Sequence, residues 1–477
     1  MVKVNKFKLF IGNFLVYGLG SIISKIIPLI MVPIITRLMS DTTYFGLNDM
    51  STTVASFASA LAMMGMFDAI YRMFFEKEDE EFKRKVCSTG LIFVLATSII
   101  TFFVLLLCKD WIARFFFENS KYAYLVYLTA MVVLVESTNG IVALPTRMHN
   151  KRKPFLVINT LSPMIAYLIS IPMLLNGYYV IALPLAAVVS ALITEIIFVV
   201  LNHGWFDFRK FDLELLKKLL FIAIPLVPNF MIYWVFNSSD KIMITKILSV
   251  ADSGIYSVGA KLGHASQLIY TAFAGGWQYF SFYTMKEEKQ VKNNSLIYEY
   301  LGIISFVATM FISALSYQIY KLLFVGNYVN GYVVSPYLFL APLLQMIYQV
   351  AANQFLIIKK TWPTALILLT GALFNVFGNL VLIPKLGIEG AAIASVLGYI
   401  ISNIVVIIVL SRMRLMELNK KFILASLIMV LFMVIWRIFL RENTIGGMAL
   451  SCAVTCIYVL LYREDLKKLL QVARQKK

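Results

Sequence analysis

The chain alternates long apolar blocks with short polar punctuation. The first block runs from about residue 9 to 37. Others follow at 43–72, 86–108, 121–146, 155–176, 178–201, 219–248, 253–282, 296–320, 332–358, 362–384, 388–411, 421–441 and 444–462. Each is about as long as a helix must be to cross a hydrocarbon layer roughly 30 Å thick. The pattern predicts an all-α integral membrane protein of about fourteen transmembrane helices. Several blocks exceed the minimum, which predicts tilt or projection into water. The connections are too short for a soluble domain. One of them, HGWFDFRKFDLELLKKLL (203–220), spaces Phe206, Phe208, Phe211, Leu215 and Leu219 between charges. That spacing predicts an amphipathic helix lying on the membrane surface. The opening block continues to about Met39 without a small-residue cleavage site, so it reads as a retained first helix rather than a signal peptide.

Composition agrees: 60% of the 477 residues are hydrophobic, only 14% are charged, and the mean hydropathy is +0.81. The net charge of +18 changes the picture more. In a soluble protein it would suggest a nucleic-acid partner. Here the cations cluster in alternate connections, such as Lys83-Arg84-Lys85, Lys151-Arg152-Lys153, Lys217-Lys218, Lys359-Lys360 and the C-terminal tail. Counted by side, about 31 fall inside and about 8 outside, the asymmetry that orients helices in a membrane. The expectation is a multi-pass protein of the cytoplasmic membrane with both termini in the cytoplasm, no nucleic-acid partner, and basic loops that attract anionic headgroups. The four cysteines, Cys87, Cys108, Cys452 and Cys456, have no further ligands near them in sequence, so they read as packing residues. No metal site and no cofactor is expected.

The chain also repeats. Ile35-Thr36-Arg37-Leu38-Met39-Ser40 lines up with Ile244-Thr245-Lys246-Ile247-Leu248-Ser249. After one gap, Phe45-Gly46-Leu47 lines up with Ser253-Gly254-Ile255. The offset is about six helices, so both copies cross in the same direction, the parallel-repeat arrangement of some secondary transporters. This predicts an N-terminal six-helix lobe over 1–210 and a C-terminal six-helix lobe over 211–415. Two additional helices and a basic tail over 416–477 fall outside the duplication.

Ionisable residues inside spans are costly unless they face a cavity or a partner. Lys25 lies near the middle of the first block, followed by Pro28 and Pro33, which interrupt the backbone ladder. It either lines a cavity or is a buried ion-pair partner. Asp240 and Lys241 are neighbours, about 100° apart on a helix, and so do not simply pair with each other. Lys261 and His264 share a face of the next block. Glu136 and Glu195 could carry a coupling proton or cation, as could Asp240, or simply partner a nearby lysine. Asp68 and Arg72, four apart, read as a local ion pair. Gln345, Gln349 and Asn353 form one polar stripe, and Asn375 and Asn379 another. Such stripes glue helices together or line a polar lumen. Lys25, Arg37, Lys241 and Lys261 together suggest a cavity of positive potential that attracts an anion such as phosphate.

SSDKIMITKILSVADSGIYSVGAKL (238–262), PLIMVPIITRLMSDTTYFGLNDM (28–50) and GMFDAIYRMFFE (65–76) resemble the polysaccharide-biosynthesis flippases. These belong to the multidrug/oligosaccharidyl-lipid/polysaccharide exporter superfamily. The likeness in layout covers about residues 8–462 and marks the family better than the cargo. The resemblance implies two six-helix lobes around a central cavity with alternating access. It implies a cargo of an oligosaccharide repeat unit on polyprenyl pyrophosphate, membrane lipids and polysaccharide-assembly enzymes as partners, and a functional monomer. On that reading Lys25, Lys241 and Lys261 hold the pyrophosphate and Arg37 stands near the outer gate. A cation-coupled small-molecule antiporter of the same superfamily is the alternative. An enzyme is not expected: the connections offer no second-substrate site, and no nucleotide-type glycine loop is present.

Overall fold

The computed structural model describes residues 26–149, 151–283, 285, 288–358, 360, 362–465 and 467. Among these residues there is no strand, and helices supply nearly all the secondary structure. In chain order they are α1 (Ile26–Leu38), α2 (Thr42–Met63), α3 (Met66–Phe74), α4 (Glu80–Leu107), α5 (Lys109–Phe116), α6 (Tyr124–Val142), α7 (Leu144–Met148), α8 (Arg152–Leu175), α9 (Ala182–Asn202), α10 (Leu213–Ala223), α11 (Val227–Ile247) and α12 (Val250–Gly263). Then follow α13 (Ser266–Tyr283), α14 (Gln290–Leu323), α15 (Ser335–Ile357), α16 (Trp362–Leu386), α17 (Ile388–Arg412), α18 (Lys420–Ile435) and α19 (Thr444–Leu461).

Ten described helices are long and apolar enough to span a membrane, or twelve if each of two bent pairs is one span. Twelve of the fourteen expected blocks correspond to these. Of the first block only α1 lies among the described residues. The eighth block, expected as one helix over 253–282, is instead two, α12 and α13, broken at His264 and Ala265. There the Ala265 and Gln267 N–H groups bond three residues back, to Leu262 and His264, which tightens the chain out of the α-helical ladder. The break falls in a polar stretch, Lys261 to Gln267, inside the block expected as one helix.

The helices fall into two compact units, Met1–Ser257 and Val258–Lys477. In the first unit, Asp41 caps α2 by accepting from the Thr43 N–H. Helix α2 ends where Met64 (φ 45°) and Gly65 (φ 75°) turn left-handed, and α3 departs at 44°. The 203–220 connection starts its helix only at Leu213. Leu215 and Leu219 point into a core with Phe74, Val86 and Cys87, while Phe208 and Phe211 stay exposed. The segment is pinned to α4 because the Asp207 and Asp212 N–H groups donate to Ser88 and Thr89. Asp68 and Arg72 make no ion pair, and the cation whose charge reaches Asp68 is Arg147.

In the second unit α16 and α17 form a close antiparallel pair, with the Asn375 amide donating to Ser395 at 3.2 Å. Asn353 and Asn379 are also buried. The C-terminal helices are held by charge as well as packing. A π-helical turn at Trp436–Leu440 extends α18. From it Arg437 reaches Glu389 with two hydrogen bonds of 3.0 and 3.3 Å, and Arg441 reaches the same carboxylate. Tyr337 donates to it at 3.1 Å. The expectation that all four cysteines pack fails for three. Cys87 is buried, but Cys108, between α4 and α5, and Cys452 and Cys456 of α19 are exposed.

Candidate functional site

In the first unit, two buried carboxylates and a lysine come together where α2, α11 and α12 meet. Helix α12 is started by Ser249 as its N-cap. Ser249 accepts from the Asp252 N–H and donates to the Asp252 carboxylate, and Glu118 takes the Val250 N–H. Two glycines then let the backbones of α2 and α12 touch. A Cβ on Gly46 would stand 2.0 Å from the Val250 oxygen, and one on Gly254 would stand 2.1 Å from the Thr42 oxygen. Real Cβ atoms do not come that close, so only glycine fits at either position.

Three residues beyond each glycine, on the same helical face, stand Asp49 and Ser257. Ser257 donates to Asp49 Oδ2 at 2.6 Å. Lys241 of α11 donates to Oδ1 at 3.0 Å and lies 2.9 Å from Oδ2. Asp49 is buried, whereas the Lys241 side chain keeps 23% of its surface exposed. The neighbouring Asp240, also buried, accepts from the Tyr256 hydroxyl at 2.6 Å. Adjacent residues of one helix thus send one carboxylate and one ammonium to different partners. A charge-assisted pair with a hydroxyl completing the carboxylate's coordination is how a span keeps charges at tolerable cost. Trp234 of α11 extends the contact, donating to Ser56 of α2 at 3.0 Å and packing on Phe57.

The other expected site residues are dispersed. Lys25 lies outside the described residues. Arg37 is exposed near the end of α1, Lys261 is exposed on α12, and neither lacks partners. Glu136 is exposed on α6. Glu195 is half-buried on α9, where Thr138 of α6 donates to it. Asp49 escaped the sequence reading although it stands inside the 43–72 block. The cost of a carboxylate in a span is the signal that would have found it. No cluster of three or more His, Cys, Asp or Glu side chains able to hold a metal occurs among the described residues. The second unit contains an apolar cavity of about 660 Å³ lined by residues such as Leu344, Ile404, Phe422 and Met433, with Arg437 at its wall.

The profile of the polysaccharide biosynthesis protein family matches residues 10–277, more than half of the chain. The chain belongs to that family. The match takes in both copies of the repeated segment and the whole of the Asp49–Lys241–Ser257 network. No curated protein matches the chain in sequence at a significant level. Solved structures share its fold. A lipid II flippase MurJ in an inward closed conformation aligns with TM-score 0.70 at 16% identity, covering 95% of this chain and 100% of that one. An inward-facing multidrug resistance MATE family transporter of the MOP superfamily aligns with TM-score 0.60 at 16% identity, covering 82% and 98%. An outward-facing MATE structure gives 0.59 at 14% identity, over 84% and 95%. The chain is therefore a multi-pass membrane protein with the all-helical MurJ/MATE fold.

Proposed function

We propose that this protein is a flippase that moves a polyprenyl-pyrophosphate-linked oligosaccharide repeat unit from the inner to the outer leaflet of the cytoplasmic membrane, for surface polysaccharide biosynthesis. The observation that carries the reading is family membership on a fold that covers the whole length of a lipid II flippase. Transport proceeds by alternating access between the lobes 1–210 and 211–415, with 416–477 as an appended helix pair, and both termini in the cytoplasm. The protein acts as a monomer alongside polysaccharide-assembly enzymes and membrane lipids.

Lys25, Lys241 and Lys261 hold the pyrophosphate, and Arg37 stands near the outer gate. The sugars occupy the polar cavity while the polyprenyl tail stays in hydrocarbon. Point cations suit this cargo because an ammonium grips phosphate oxygens without demanding one geometry. No bond in the cargo is broken, so the protein is not an enzyme. Glu136, Asp240 and Glu195 are the candidates for ion coupling.

Gene deletion followed by analysis of lipid-linked sugars on each face of the membrane tests the reading. Accumulation of a polyprenyl-pyrophosphate oligosaccharide on the inner face, with loss of surface polymer, is expected. Normal crossing with unchanged glycans would overturn it. A cation-coupled small-molecule antiporter is the second reading, favoured by the half-buried Glu195 carboxylate with its hydroxyl donor and by the MATE likeness. Increased drug sensitivity of the deletion strain, with normal glycans, would select it.

A further inference from the structure

Lys241, assigned above to the cargo's pyrophosphate, already has an anion. Asp49 holds it through both carboxylate oxygens, and Ser257 holds Asp49. The two partners are not equally accessible: Asp49 is buried, while Lys241 keeps part of its side chain exposed. An incoming phosphate therefore meets the ammonium first. The other carboxylate at hand, Asp240, is turned toward Tyr256.

We infer that Asp49 is a built-in competitor of the cargo phosphate for Lys241, and that phosphate binding releases the link between α2 and α11. This rests on the flippase reading. Asp49 copies what the cargo offers, a pair of oxygens sharing negative charge at hydrogen-bond distance. With the site unoccupied, the pair keeps Lys241 neutralised in a low-dielectric setting, where an isolated ammonium would be costly. A phosphate that takes over Lys241 leaves Asp49 with the Ser257 hydroxyl, and α2 loses its charged tie to α11. Asp49 is thus a positioning residue for the cargo-binding lysine. It sets the threshold an anion must exceed, so weak cytosolic anions with one charge would not spring the site.

The test uses the purified full-length protein in detergent and inorganic pyrophosphate as probe. Trp234 joins α11 to α2 and reports their separation. In the unmodified protein pyrophosphate should shift tryptophan emission, and W234F should abolish the shift. Pyrophosphate should bind Asp49→Asn about tenfold tighter than the unmodified protein, within the range usual for coupled sites. Adding Lys241→Gln to that variant should remove the gain. If pyrophosphate binds but Asp49→Asn binds no tighter, or Trp234 does not respond, the competitor inference is wrong and the flippase reading stands. If Asp49→Asn does not fold, the Trp234 response alone decides. If pyrophosphate binds to none of these proteins, the anionic site itself is wrong and both fall.

Discussion

Ser257 donates its hydroxyl proton to Asp49 at 2.6 Å, and the two residues are 208 positions apart in the chain. That separation is the offset of the internal repeat. It also relates Gly46 to Gly254, Thr42 to Val250, and the two helix caps, Asp41 and Ser249. Each glycine makes room for the carbonyl four residues before the other glycine: Gly46 for Val250, Gly254 for Thr42. The contact is reciprocal: each segment gives a glycine and receives a carbonyl. The pair at its centre is asymmetric, an acid in one copy and a hydroxyl in the other.

Neutralising one half of the ion pair should cost more than removing both. Lys241→Met leaves a buried carboxylate with only a hydroxyl, at about 3–5 kcal/mol. The double variant Asp49→Asn/Lys241→Met should recover much of that loss. Thermal unfolding in detergent would show it as a higher midpoint for the double variant than for Lys241→Met.

Alanine at Gly46 or Gly254 should destabilise despite its better helix propensity, worth roughly 1 kcal/mol. The added methyl must push a backbone carbonyl away, and overpacking of this kind costs about 1–3 kcal/mol or more. Gly204→Ala, with nothing within 4 Å, is the control and should change stability by less than about 0.5 kcal/mol. Midpoints of thermal unfolding for the three variants check the order.

Glu389→Gln should loosen α18 and α19. It leaves Arg437 and Arg441 beside a neutral amide that can accept from only one oxygen. A loss of about 3 kcal/mol is expected, the low end for a buried pair because both arginines remain partly exposed. Faster limited proteolysis after residue 412, read by mass spectrometry, would register it. Arg437→Lys should show part of the same effect, since an ammonium cannot reproduce the forked contact.

His149 should make stability fall on the acid side. It lies between α7 and α8 against Trp205 and Phe74, with ring centroids 4.4 and 5.5 Å away. Burial, then the cations Lys151 and Lys83, hold its imidazole below the ordinary 6.5, with Glu80 opposing. As pH drops past 6.5 the unfolded chain takes the proton first. Stability is therefore complete above that value and lost as pH falls toward the lower folded value. Unfolding midpoints measured from pH 8 to 5 should show the decline, and His149→Gln should reduce it.

Much of the fold is legible in the sequence because a membrane span needs only length and apolarity, and both are one-dimensional. The break between α12 and α13 is only partly legible: Lys261, Gly263, His264, Ser266 and Gln267 interrupt the apolar run there, but polar residues alone do not say whether a helix bends or ends. The site is legible in half. Lys241 and Asp240 stand out as charges in a span, but which charge each meets depends on how helices far apart in sequence are phased. Asp49 belongs to another helix, and Ser257 is a serine among many. Glu389 gives no hint in sequence that it gathers Arg437, Arg441 and Tyr337, because a π-helical turn changes which way α18 presents its arginines.

Gly46 and Asp49 are three residues apart on α2, and Gly254 and Ser257 three apart on α12. The bare spot and the polar group therefore travel on one helical face in each copy. Sliding or rolling either helix cannot disturb the backbone contact without also carrying Asp49 away from Ser257. Latch and bearing are cut from the same edge, so α2 and α12 can part only by losing both at once.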